Sequence, residues 1–135
     1  MKVQGACHCG QIRYEAEVDP ARTAICHCTD CQVLTGTAFR VSVPANAGSF
    51  RLLAGKPTVY LKMTAESGVR KRHAFCPACG SPVYSTADED HPASVTLRVG
   101  GLAQRAQLAP RRRIWCDSAV PWSQDVGGVP GIPRQ

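Results

Sequence analysis

Eight cysteines carry the chemistry legible in this chain, at positions 7, 9, 26, 28, 31, 76, 79 and 116. Seven of them fall in three short clusters, Cys7-His8-Cys9, Cys26-His27-Cys28-x-x-Cys31 and Cys76-x-x-Cys79. Thiolates are strong zinc ligands. Zinc takes four protein ligands where it holds a fold together, and three where one position is left for water or substrate. Cys7/Cys9 and Cys76/Cys79 are natural pairs, and each is followed by a glycine, Gly10 or Gly80. One structural Zn2+ on these four would pin the N-terminal hairpin to another roughly seventy residues later. Cys26, Cys28 and Cys31 then remain as three ligands, the pattern of a catalytic-type zinc with an open position. Two other readings of this cluster stay open from the residues alone. Cys116 or a histidine closes the site, or the cluster is a metal-free thiol redox centre.

His8 and His27 each sit between two ligand cysteines, so their side chains are expected to point away from the metals. Cys116 follows Trp115 in what reads as a strand, where a buried apolar thiol is expected, with fourth ligand or resolving thiol as alternatives. Trp115 and Trp122 are expected in the core or in a pocket wall, and His73 is expected to be structural. A disulfide framework fits poorly. Bridging Cys7 to Cys9 would close a very short, strained ring, and cysteine makes up about 6% of residues, below the ~8–10% of disulfide scaffolds. The N-terminal stretch lacks an apolar run of signal-peptide length, and no run approaches the ~18 residues of a membrane span. A reducing, cytoplasmic setting is therefore expected.

The formal charge of +6 assumes neutral thiols. Seven thiolates and two Zn2+ would change it by −7 + 4 = −3, leaving about +3. The basic runs, Val69–His73 and Arg111–Arg113, read best as solvated strand edges and next as a site for a small anion. No stripe of stacking aromatics accompanies them, so nucleic acid is not the expected partner.

These residues must be positioned by short strands. "QIRYEAEV" alternates with Ile12, Tyr14 and Ala16 on one face, and "FRVSV" with Phe39, Val41 and Val43. "TVYLKM", "RKRHAF", "PVYS", "SVTLRV" and "RRIWC" are further strands. The one helix is a turn or two over Thr29–Leu34, stopped by Gly36. "ACHCG" and "FCPACG" lie between strands, as hairpin turns in which Gly10 and Gly80 supply positive φ and backbone N–H groups face the sulfurs. The expected fold is mainly β, several small coiled antiparallel sheets around zinc-knuckle hairpins. Residues 1–122 form one domain, and 123–135 a Gly/Pro-rich tail.

The order of motifs resembles a known family. Gly5, Cys7, Cys9 and Gly10 with Tyr14 come first, then Cys26, His27, Cys28 and Cys31 with Gly36 and Phe39. Phe75, Cys76, Cys79 and Gly80 with Tyr84 follow, then Pro110, Ile114–Trp115, Asp117–Ser118 and Pro121–Trp122. This pattern is similar to the glutathione-dependent formaldehyde-activating (GFA) family, which also includes centromere protein V. The resemblance implies a mainly β, Mss4-like fold. It also implies a structural zinc on Cys7, Cys9, Cys76 and Cys79 and a second, catalytic-type zinc on Cys26, Cys28 and Cys31. The namesake reaction joins glutathione to formaldehyde, which is carbon–sulfur lyase chemistry.

The function expected from residues and resemblance together is a zinc-dependent, lyase-type enzyme handling adducts of a small thiol and an aldehyde. The open centre would take the thiol as thiolate, and its three ligands hold metal less tightly than four. Gly36, Phe39 and Arg40 are expected to bind substrate, Arg40 or Arg111–Arg113 through a carboxylate. Asp30 and Asp117 are acids placed nearby by position alone and receive no catalytic role. The rivals are a non-catalytic zinc-binding interaction module and a thiol redox protein.

Overall fold

The alternation at Ile12, Tyr14 and Ala16 becomes the inner face of a three-stranded sheet, with all three residues buried. A computed structural model describes residues 1–134. In the small sheet β2 (Arg13–Glu17) pairs with β1 (Lys2–Ala6) and with β5 (Arg51–Ala54). The other seven strands form one larger sheet. Its order is β10 (Arg112–Ile114), β3 (Ala24–Cys26), β4 (Arg40–Pro44), β9 (Thr96–Arg98), β8 (Pro82–Ala87), β7 (Lys71–Phe75) and β6 (Thr58–Lys62). The chain is mainly β, as expected, but the larger sheet is not wholly antiparallel: β10 runs parallel to β3. No hairpin joins these two strands, so no tight turn imposes an antiparallel pairing on them.

Val3 and Tyr14 from the small sheet, and Ile12 just before β2, pack with Val43, Val83 and Leu97 from the large one in a single core. Phe50 stands between the layers, its ring centre 5.8 Å from that of Tyr14 and 4.9 Å from that of Tyr84. Such tilted and edge-on contacts add to plain burial. Of the two tryptophans, expected in the core or a pocket wall, neither is in the core: both are exposed, and Trp115 lines a cavity. With so few aromatic residues inside, cross-links between the layers gain importance.

Gly5, directly opposite Tyr14 in the β1–β2 ladder, shows how closely the Tyr14 ring lies across the small sheet. A Cβ there would lie 2.1 Å from Tyr14 Cζ, and the buried ring has little room to move. Gly5→Ala is expected to destabilise the protein by about 3 kcal/mol, the upper end for overpacking, in urea unfolding. A loss below about 1 kcal/mol would mean that Tyr14 swings aside freely.

Two local expectations change. Phe39 precedes β4, and Arg40 and Val43 are the buried residues of that strand. β4 lies between β3 and β9, and Val41 and Val43 pack on the core as the alternation expects, with Arg40 buried in addition. The strand at "RRIWC" ends at Ile114. Trp115 takes a left-handed conformation, φ 57°, uncommon for a bulky residue. Cys116–Ser118 then forms a 3-10 turn, and Cys116 is exposed rather than buried on a strand.

Candidate metal centres

The turn after β1 and the turn after β7 bring Cys7, Cys9, Cys76 and Cys79 together, all four sulfurs within 4.8 Å of one another. Cys7 Sγ lies 3.5 Å from Cys9 Sγ, and Cys9 Sγ 3.7 Å from Cys76 Sγ. A tetrahedron with zinc–sulfur bonds of about 2.3 Å has sulfur–sulfur edges of about 3.8 Å, whereas a disulfide needs about 2.05 Å. All eight cysteines are free thiols, so the spacing is that of a metal cage. Gly10 and Gly80 close the two turns at φ 79° and 72°, conformations that glycine adopts without strain. The Ile12 N–H donates to Cys7 Sγ at 3.2 Å. Ser81, which sequence reasoning passed over, accepts the His8 N–H at 3.0 Å and lies 3.2 Å from Cys79 Sγ. It ties the two turns together beside the cage.

Protons alone suit this cage badly. The Ser81 hydroxyl and backbone N–H groups lower the Cys79 thiol to about 5. Burial raises the Cys7 thiol, but the Ile12 N–H and the neighbouring sulfurs outweigh it and leave it lowered. Cys9, despite the Gln11 N–H, is pushed up to about 12 because Cys7 and the other sulfurs crowd it. Four sulfurs in this arrangement favour a shared divalent cation over a shared set of protons.

The second cluster is built where β3 meets α1 (Thr29–Thr35). Cys26 ends β3, Cys28 is the N-cap of α1, and Cys31 lies in its first turn. Cys28 Sγ accepts the Cys31 N–H at 3.4 Å and lies 3.5 Å from Cys26 Sγ. Gly36 ends the helix at φ 68°, the expected stop signal. The three sulfurs also lie within 4.8 Å of one another, and no fourth His, Cys, Asp or Glu joins them among the described residues. A hydrogen bond from Cys31 lowers the Cys26 thiol, and the same shared proton, with burial, raises Cys31. His27 turns away and packs edge-on against Phe39, ring centres 5.6 Å apart, while His8 is exposed.

The segment after β10 folds over this loop. Ser118 Oγ donates to the His27 carbonyl at 3.0 Å. Gln32 Nε2 donates to the carbonyls of His27 and Ser118 at 2.8 and 2.9 Å. No sequence signal marked Gln32. Its side chain fastens the helix to a turn 86 residues away. A cavity of about 650 Å3 opens above the three sulfurs, walled by Lys62, Lys71, Trp115, Asp117 and Ser118. Asp30 also lines it, 2.7 Å from Lys62 Nζ and 3.0 Å from Thr64 Oγ1. Lys62, then Thr64, holds its carboxyl below the usual range, which makes it a poor base.

Gly36, Phe39 and Arg40 do not line this cavity. Gly36 caps α1, whereas Phe39 and Arg40 face a separate cavity of about 630 Å3. Of the basic run, Arg70 and Arg72 pair with Asp88, Lys71 faces the 650 Å3 cavity and His73 turns inward. His73 Nδ1 accepts from Arg40 Nη1 at 3.2 Å and Arg98 Nη2 at 3.3 Å. Burial, then the charges of Arg98 and Arg40, drive the His73 imidazole down to about 3.

No helix among the described residues is long and apolar enough to cross a membrane. No curated protein matches the sequence. A crystal structure of a Rhodobacter sphaeroides protein shares the fold at a TM-score of 0.61 and 23% identity, covering 84% of this chain and 99% of that one. Residues 2–118 match the family described as glutathione-dependent formaldehyde-activating enzyme (GFA). With that match across most of its length, and with both cysteine clusters of the motif order assembled in space, the chain belongs to the GFA family.

Proposed function

We propose that the protein is a zinc-dependent carbon–sulfur lyase-type enzyme that makes and breaks adducts of a small thiol with an aldehyde. The observation carrying this reading is the three-sulfur cluster, with no fourth ligand group among the described residues, at the floor of a ligand-sized cavity. Zinc there would supply an open coordination position at which a thiol is bound and readily loses its proton. Cys7, Cys9, Cys76 and Cys79 would hold the other, structural zinc. In the forward direction a carbon–sulfur bond forms between thiol and aldehyde carbon. The carbonyl π pair moves to oxygen, and the thiol proton ends on that oxygen. The reverse reaction releases both partners.

The chain's own residues supply binding and orientation. Lys71 offers a charge for a substrate carboxylate, and Trp115 an apolar wall. Lys62 is already engaged by Asp30. Holding thiol and aldehyde side by side converts a bimolecular encounter into an effectively unimolecular step.

The test is zinc counting by native mass spectrometry, with NMR exchange between formaldehyde hydrate and its S-hydroxymethyl thiol adduct. Wild type is expected to hold two zincs and to speed the exchange with glutathione or another small thiol. Cys116→Ala should keep both zincs and the activity, because Cys116 lies outside the cluster. Loss of a zinc in Cys116→Ala, or exchange no faster than in buffer across a panel of thiols, would count against the open-centre enzyme.

A further inference from the structure

Arg40 and Arg98 are 5% and 8% exposed, deep for guanidinium groups. They sit on adjacent strands of the large sheet, β4 and β9, and both reach His73. No carboxylate pairs with either among the described residues, whose salt bridges lie elsewhere. A guanidinium carries five N–H donors. Arg98 uses one on Ser42 Oγ at 3.0 Å and one on His73, and Arg40 uses one on the same His73 nitrogen. That nitrogen has a single lone pair for two donors. The Nε of both arginines is buried with no protein partner. Two adjacent buried cations sharing one neutral acceptor are costly unless an anion joins them.

The sulfurs of the second centre adjoin this group, since Cys26 lies opposite Arg40 in the β3–β4 ladder, while Asp30 is already paired with Lys62. Three thiolates and a divalent cation carry −3 + 2 = −1, and with two guanidiniums the sum is −1 + 2 = +1. One further negative charge is called for. Both guanidiniums line the 630 Å3 cavity and another of about 390 Å3; the smaller one also takes in His73, and Leu34, Tyr60, Phe75 and Tyr84 give it the apolar walls. It shares no lining residue with the cavity above Cys26, Cys28 and Cys31.

We propose that Arg40 and Arg98 form a second binding site, for a small organic monocarboxylate with an aromatic or branched aliphatic body. Its carboxylate takes the Nη–H groups of the two guanidiniums that His73 and Ser42 leave free, and its body fills the apolar part of the cavity. Paired guanidinium forks match a carboxylate better than a spherical ion, and the walls favour an apolar body over an inorganic anion. The lyase reading enters here only through the charge count, so failure of one leaves the other standing.

The experiment uses the full chain under reducing conditions with zinc present and reads binding, not turnover. Benzoate is titrated while the Arg Nε–Hε signals are followed by 15N NMR, with benzamide and inorganic phosphate as comparisons. Benzoate is expected to shift the Arg40 and Arg98 signals saturably. Benzamide, its neutral counterpart, should bind at least about tenfold more weakly, as loss of a charge-assisted pair implies, and phosphate, which keeps the charge but lacks a body to fill the apolar walls, should bind severalfold more weakly. Arg98→Gln should weaken benzoate by a similar factor. If that variant does not fold, Tyr60→Ser, on a half-exposed wall residue, should weaken benzoate severalfold while phosphate is unchanged. The site is overturned if benzamide or phosphate matches benzoate, or if benzoate moves only signals around Cys26–Cys31.

Discussion

Cys76→Ser is expected to abolish cooperative folding at room temperature, with the far-UV spectrum partly kept and the thermal transition lost. Cys76 is fully buried in the core and is one of four sulfurs linking the small sheet to the large one. A structural zinc site contributes about 10–16 kcal/mol in small domains, against a net stability of about 5–15 kcal/mol for a whole domain. Losing one of four ligands removes a large part of the first quantity, and a buried serine hydroxyl without a partner adds about 1–3 kcal/mol of penalty. Exposed Cys116 supplies the contrast. Cys116→Ser should change stability by no more than about 0.5 kcal/mol. The measurement is circular dichroism melting with zinc counting on both variants. If Cys76→Ser melts within about 5 °C of wild type, the cage is dispensable and the apolar core holds the layers together unaided.

The four-sulfur cage illustrates which parts of the molecule could be read from sequence. The knuckles were legible because their chemistry is local: C-x-C-G and C-x-x-C-G specify a turn, a positive φ and two ligands within five residues. Helix α1 was legible from Thr29 to Gly36 for the same reason. β3 and β5 were not. Ala24–Cys26 and Arg51–Ala54 are three and four residues long and lack an alternation of their own. They are strands because neighbouring strands pair with them. The Arg40–Arg98–His73 group was also hidden. Arg98 follows Leu97 in a short run that reads as an ordinary strand, and His73 belongs to a run that reads as a charged edge. Pairing across β4, β9, β8 and β7 brings them together, and no spacing along the chain records that. The break after Ile114 is of the same kind. Trp115 adopts its left-handed turn where the segment docks on His27 through Ile114 and Ser118, and this takes Cys116 out of a strand and into solvent.

Cys28→Ala should separate the two centres by producing the opposite result: a folded protein that keeps one zinc and loses the proposed activity. Its structural cost is small, because the removed sulfur does two local things. It caps α1 through the Cys31 N–H, worth about 1 kcal/mol, which for a domain of this size lowers the melting temperature by roughly 3–6 °C. It is also one of three ligands in a cluster at a cavity floor, outside the buried core. Without it, Cys26 and Cys31 are left as two ligands, too few to hold zinc firmly against water. The thiol then loses its position beside the aldehyde. Positioning of that kind is worth many orders of magnitude in model reactions, so a fall of at least about 10^3-fold in adduct exchange is expected, measured by the same NMR experiment. A Cys28→Ala protein that retains two zincs and full exchange would place the chemistry elsewhere. One that unfolds like Cys76→Ser would make the second cluster a structural site as well. The pair of variants therefore reads whether one cage holds the fold while the other is free to bind and release a substrate.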